Sequence, residues 1–177
     1  MSTPRPNMDS LSTARLGDDS VVTLNEHAPV LASSEVVIAA DPQIVWDVLT
    51  DFGRWPDWNA DVRMMWLQGD GQAGTTFRWK TRSNTINSRI EHVDSPSRIL
   101  WTGKSSGIRA THLHELEARN GGTFVRTEES FEGLVARILR RRLNKVVQAA
   151  LDSELRQLRI EAERRSTRAA PDVTEGD

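Results

Sequence analysis

The sequence predicts an α+β fold: one curved, seven-stranded antiparallel sheet wrapped around a long C-terminal helix, with two short helices after the first strand and a central cavity. Three observations predict it. A β-rich run, SEVVIAA, leads at Asp41-Pro42 into helical spacing. Six strand-like runs follow, separated by turn-forming residues. From 134 to about 165 the apolar period changes from strand to helix. Successive antiparallel strands with one amphipathic helix place that helix against one sheet face.

Each element has its own signal. Residues 1–20 are rich in Pro, Ser, Asp and Thr, too polar to offset the entropy of ordering. VVTL at 21–24 suits a short extra strand. Residues 1–32 are therefore read as a disordered or loosely structured extension, 33–165 as the folded domain and 166–177 as a disordered tail. That span suits one domain. Asp41 is placed to cap a helix whose first residue is Pro42, and Ile44, Val45, Val48 and Leu49 continue it. Gly53 and Pro56 interrupt this pattern and leave a short second helix or turn through RWPDWN. There Trp46, Trp55 and Trp58 are expected to pack the short helices, with Asn59 bracing their exit. The six strands are read at roughly 62–68, 74–82, 85–93, 98–104, 108–118 and 122–131. GDGQAG at 69–74 reads as a turn. In the last helix, Leu139, Leu143, Val146, Val147, Ala150, Leu151, Leu155, Leu158 and Ala162 form one apolar stripe.

Composition excludes several chemistries. The chain has no Cys, so disulfides, Cys–Zn sites and thiol nucleophiles are ruled out. It has no Tyr, so no phenol serves as acid or donor. A net charge of -2 gives no global argument for a nucleic-acid partner. No apolar run approaches the ~18 residues of a membrane span, and the first residues show no secretory h-region. A cytoplasmic location is the default expectation. No GxSxG and no Gly-rich phosphate loop is present.

Strand alternation assigns the inner face. Thr75, Phe77, Trp79 and Thr81 point inward on one strand, and Ile86, Ser88 and Ile90 on the next. Ile99, Trp101 and Gly103 follow, then Ile108, Ala110, His112, His114 and Leu116. Asn120-Gly121 is a two-residue hairpin signal of the type I′ kind, which fixes register. It sets Leu116 opposite Val125, His114 opposite Thr127, His112 opposite Glu129 and Ala110 opposite Phe131. On the outer face it pairs Glu115 with Arg126 as a cross-strand ion pair. A similar turn at Ser106-Gly107 sets Trp101 beside His112.

The candidate chemistry is the inward row Trp101, His112, Glu129. A carboxylate beside an imidazole favours the charged ring, while burial opposes it. Such a pair can fix a His tautomer and serve as general acid or base. The bland alternative is a buried His that Glu129 merely satisfies. His114 is the second candidate catalytic residue. A metal needs a third ligand that only Glu129 offers here, and HExxH is absent, so no metal and no cofactor is expected. Phe77, Trp79 and Trp101 suit an aromatic wall for a ligand, or plain core packing. Ser88, Ile90, Ala110, Thr127 and Phe131, with Leu139 and Leu143 from the helix, complete the expected lining. Arg137, Arg140, Arg141, Arg142 and Lys145 cluster with no acid from 133 to 151, near the expected cavity mouth.

The order of elements resembles the START/Bet v 1-like superfamily (SRPBCC, helix-grip fold), and within it the polyketide cyclase/dehydrase branch. The residues carrying the resemblance are VVIAADPQIVWDVLTDFGRWPDWN (36–59), GTTFRWK (74–80), ILWTGKSSGIRATH (99–112) and RTEESFEGL (126–134). It implies a ligand cavity between sheet and helix, and a hydrophobic polyketide or related small molecule as ligand. An enzyme of this kind would promote cyclisation and dehydration by acid–base catalysis, with His112, Glu129 and His114 as the catalytic set. The resemblance also implies an acidic acyl carrier protein as partner, for which Arg137, Arg140 and Arg141 form the docking candidates. The superfamily equally includes non-catalytic carriers and sensors of lipid-like molecules. An interaction module acting through the basic helix is the third reading.

Overall fold

The computed structural model describes residues 14–15 and 21–169. Ala14–Arg15 (β1) and Val21–Val22 (β2) form a small separate pair. The main body starts with β3 (Val30–Ile38), followed by α1 (Pro42–Thr50), a 3₁₀ turn (Phe52–Arg54) and α2 (Trp55–Trp58). Six strands come next: β4 (Met64–Gln68), β5 (Thr76–Lys80), β6 (Thr85–Asp94), β7 (Arg98–Ser105), β8 (Ile108–Arg119) and β9 (Gly122–Glu132). Two helices end the chain, α3 (Leu134–Ile138) and α4 (Arg140–Ala169). The seven-stranded sheet has the order β3-β9-β8-β7-β6-β5-β4, with every pair antiparallel. This is an α+β helix-grip fold.

Local chemistry explains the entry. Asp41 accepts a hydrogen bond from the Gln43 backbone N–H at 2.8 Å, capping α1 with Pro42 in its first turn. α1 buries Val45, Trp46, Val48 and Leu49. The first sheet strand begins three residues before 33, because Val30 pairs with Phe131 and is fully buried. At the other end, α4 runs through Ala169, past the expected end at 165. Most of the expected disordered extension and residues 170–177 of the expected tail lie outside the described residues.

The β8–β9 register is the one the hairpin signal predicts: Leu116 faces Val125, His114 Thr127, His112 Glu129 and Ala110 Phe131. Trp101 sits beside His112. The turn type differs from expectation at one hairpin. Ser106 and Gly107 both have positive φ, as a type I′ turn requires, whereas at Asn120-Gly121 only Gly121 does. The expected Glu115–Arg126 ion pair is also not made. The two positions are opposite, but the Arg126 guanidinium lies 2.8 Å from Glu128 and 3.7 Å from Glu35. Glu115 lies 3.8 Å from Arg98 instead.

The helical segment is not continuous either. Leu139 breaks it between α3 and α4. α3 buries Ala136 against the ends of β8 and β9, and α4 then follows its own line along the sheet. Val147, Leu151, Leu155, Leu158 and Ala162 are the buried residues of α4. The larger core joins Leu155, Leu158 and Ala162 to α1, Phe52, Trp55, Phe77, Ile90, Ile99 and Trp101. Leu158 is fully buried in it. Truncating Leu158 to Ala is expected to destabilise the fold by about 2–5 kcal/mol, the usual range for a buried leucine. The denaturant midpoint reads this, and an unchanged midpoint would show that the sheet does not grip the helix there.

Candidate functional site

A cavity of about 380 Å³ lies between the sheet and α4. Small residues leave room in it: Gly103 on β7, Ala110 on β8 and Ala150 on α4. Trp79, Ile86, Trp101, Phe131, Leu143 and Val147 supply apolar wall. The mouth is ringed by the β5–β6 turn (Arg82, Ser83, Asn84), the β7–β8 turn (Ser105, Ser106) and Val146. A smaller space of about 100 Å³ continues inward, lined by Trp55, Asn59, Val62, His112 and Glu154. Trp79, Trp101, Asp61, Thr81 and Ala150 border both.

Six of the expected lining residues face this cavity: Trp79, Ser88, Trp101, Ala110, Phe131 and Leu143. The Ser88 hydroxyl accepts from the Trp79 indole N–H at 3.2 Å. Four do not face it. Ile90 is fully buried in the core. Phe77 packs its ring 4.9 Å from Phe52 and is core, not wall. Thr127 is sealed behind His112. Leu139, at the helix break, is 45% exposed and lies with Arg137, Arg140, Arg141 and Arg142 on the outer surface. Trp55 joins the aromatic cluster, its ring 6.0 Å from Trp79 and 5.7 Å from Trp101. Its indole N–H donates to the Leu49 carbonyl at 2.8 Å, which fixes the ring.

The polar groups meet at the inner end. His112 Nδ1 lies 3.8 Å from Glu129 Oε1, while its Nε2 lies 2.7 Å from Thr127 Oγ1. The Thr127 hydroxyl donates its one hydrogen to the Leu113 carbonyl at 3.3 Å. Thr127 Oγ1 thus sits between His112 Nε2 and the Leu113 carbonyl, while His112 Nδ1 faces Glu129. A second acid enters from α4. Glu154 Oε1 lies 3.2 Å from His114 Nε2, and Oε2 lies 3.9 Å from His112 Nε2. The His112 and His114 rings lie 4.4 Å apart and tilted by 30°, with Trp101 4.7 Å from His112 and stacked on His114 at 5.0 Å. Sequence reasoning missed Glu154, although it stands three residues after Leu151 and four before Leu158, on the buried stripe.

Burial sets the protonation states. It lowers the His112 imidazole to about 3, helped by His114 and opposed by Glu154. Burial, with repulsion from Glu154, pushes the Glu129 carboxyl up to about 8. For Glu154 burial acts upward, but the charge and hydrogen bond of His114, with His112, hold it below its ordinary value. At neutral pH the site thus holds a neutral His112, a protonated Glu129 and an ionised Glu154. Of the two opposing influences on His112, burial prevails, and it does not form an ion pair with Glu129. His114 is fully buried, and its Nδ1 has no hydrogen-bond partner.

The sequence matches the family described as polyketide cyclase / dehydrase and lipid transport over residues 29–163. The chain belongs to this family. Solved structures agree on the fold. An aromatase/cyclase, Zhui, from Streptomyces sp. R1128 superposes with a TM-score of 0.70 at 21% identity, covering 80% of this chain and 97% of that one. A hypothetical protein from Helicobacter pylori gives 0.68 at 17% identity, covering 77% and 90%. A START superfamily protein from Mycobacterium smegmatis gives 0.59 at 15% identity, covering 79% and 99%. No protein of curated function matches the sequence. None of the described helices of this family member is long and apolar enough to cross a membrane.

The raised Glu129 has a signed consequence. Its folded value, about 8, exceeds the ordinary 4.5, so the fold binds an extra proton between them. The contribution of this group is fully present below about 4.5 and is lost as pH rises through 8. Glu129→Gln is expected to flatten the loss of stability across that window. Denaturation midpoints of both proteins across the window check this, and parallel pH profiles would contradict it.

Proposed function

We propose that the protein binds a hydrophobic polyketide or a related carbonyl-bearing chain in its cavity and promotes cyclisation and dehydration by proton transfer. The observation that carries this is geometric: an aromatic cavity whose walls end on a converged set of proton-carrying groups. Family membership supports a cyclase-like or ligand-binding role. The size suits a small molecule, since ligand pockets run from roughly 300 to 1,000 Å³. Trp79, Trp101 and Phe131 would restrict a flexible chain to folded conformations, and such orientation supplies much of the catalysis of ring closure. The His112–Glu129 pair would then carry the proton taken from a carbon beside a carbonyl and return it to the departing hydroxyl. Glu154 would keep the imidazoles in place.

His112→Gln is expected to keep the fold and the ligand but slow conversion of a linear poly-β-ketone about 10²–10⁴-fold, the usual contribution of a positioned acid or base. Product analysis by mass spectrometry reads conversion, and circular dichroism reads the fold. If His112→Gln and Glu129→Gln both convert normally, the enzymatic reading fails. Loss of ligand on Trp101→Ala alone would then favour a carrier of hydrophobic molecules.

The carrier-protein partner rests on charge. Arg137, Arg140 and Arg141, with Arg142 and Lys145, are exposed, in the helical stretch that also carries the cavity residues Leu143 and Val146. Such a cluster steers an acidic partner in a salt-dependent way. The Arg140/Arg141/Arg142→Glu variant is expected to lose low-salt binding to an acyl carrier protein by surface plasmon resonance. Unchanged binding would remove that partner.

A further inference from the structure

We infer that His112, His114 and Glu154 form a binding site for one divalent transition-metal ion at the inner end of the cavity. This goes beyond the reaction proposed above and does not depend on it; an ion on His112 replaces that ring's proton-carrying role.

The geometry is that of a ligand set. One donor atom from each of the three residues can be chosen so that all lie within 4.8 Å of one another. His114 Nε2 and Glu154 Oε1 are 3.2 Å apart, and His112 Nε2 and Glu154 Oε2 are 3.9 Å apart. Donors around a tetrahedral Zn²⁺, with bonds of about 2.0–2.1 Å, stand about 3.3 Å from each other. Small side-chain rotations bring the three atoms onto such an ion. The elements that present them are rigid. The two His alternate onto one face of β8, and Glu154 projects from the buried stripe of α4.

The electrostatics ask for a cation. Glu154 is an acid whose side chain is 14% exposed, and among the described residues its ion-pair partners are the two imidazoles. No Lys or Arg is paired with it among those residues. A buried carboxylate without a fixed cation is costly. A divalent ion supplies that charge and takes imidazoles as neutral ligands. Two nitrogens and one oxygen, with no sulfur, suit Zn²⁺ and its first-row neighbours.

The surroundings supply the outer shell as well. Coordination at His112 Nε2 exchanges the Thr127 hydrogen bond for a metal bond and places the ring hydrogen on Nδ1. Glu129 Oε1 stands 3.8 Å from that nitrogen. Once its proton leaves with ion binding, Glu129 is a carboxylate accepting from the far nitrogen of a metal-bound His, the usual second layer of such sites. The space of about 100 Å³ lined by His112 and Glu154 leaves room beside such an ion for one further ligand. Three protein ligands and one open position mark an ion placed to act on a ligand, there to draw charge from a carbonyl oxygen.

The test uses the full chain, treated with EDTA, exchanged into chelator-free buffer and titrated with Zn²⁺ and, separately, Co²⁺. One equivalent of Zn²⁺ is expected to bind and to raise the thermal midpoint by several degrees. One equivalent of Co²⁺ should give the intense visible bands of four- or five-coordinate cobalt. Glu154→Gln and His114→Gln should lose both signals. Glu129→Gln should weaken binding roughly tenfold or more, as loss of an outer-layer partner does. Uptake well below one equivalent by the wild type overturns the site. So does a weak, water-like Co²⁺ spectrum, a result that needs no variant to fold. Binding that persists unchanged in Glu154→Gln places the ion elsewhere and also overturns it. Ligand retention by the EDTA-treated wild type is measured in parallel. Ligand retained without the ion leaves the metal titration as the sole judge of the site, and ligand lost with the ion supports contact between the two.

Discussion

The pairing of β8 with β9 governs most of what the molecule can do. A two-residue turn at Asn120-Gly121 sets Leu116 opposite Val125, and the alternation then places His114, His112 and Ala110 inward in succession. Side chains alternate with a period of two, so a slip of one residue would move every member of that row to solvent. The same register brings Thr127 and Glu129 to the inner face, where the two imidazoles need partners. Cavity wall, polar end and the surface that α4 covers all follow from this pairing.

The burial of so many polar groups sets the second constraint. His112, His114, Glu129 and Glu154 share a region of low polarity, where isolated charge is disfavoured. They resolve this by dividing the work: one neutral ring, one protonated acid and one carboxylate held by imidazole. The arrangement couples their protonation, so a change at one position is felt by the others. Trp101 lies against both rings and restricts how far they can turn.

Much of this was legible before the structure. Turn residues and alternation gave the strand order and register, because both are local signals. The cavity lining at Trp79, Trp101, Ala110 and Phe131 follows from the same alternation. The failures have physical causes too. Phe77 and Ile90 share the inner face, but depth along a curved strand decides whether such a residue meets cavity or core, and alternation carries no depth. Leu139 lies among good helix formers, and the break there accompanies burial of Ala136, a tertiary contact that no local signal carries. Thr127, not Glu129, bonds His112, because a ring nitrogen reaches the neighbour two residues along the strand. Glu154 was hidden by reading the last helix for apolar residues alone. An acid at a stripe position was the available signal.

The cavity owes its room to Gly103, Ala110 and Ala150, none of which carries a titratable group. Capacity and chemistry are therefore written in different residues. A lineage could enlarge, shrink or reshape the guest by exchanging these three side chains, with the proton-bearing end left untouched. The scaffold can thus drift in what it accepts far faster than in what it does.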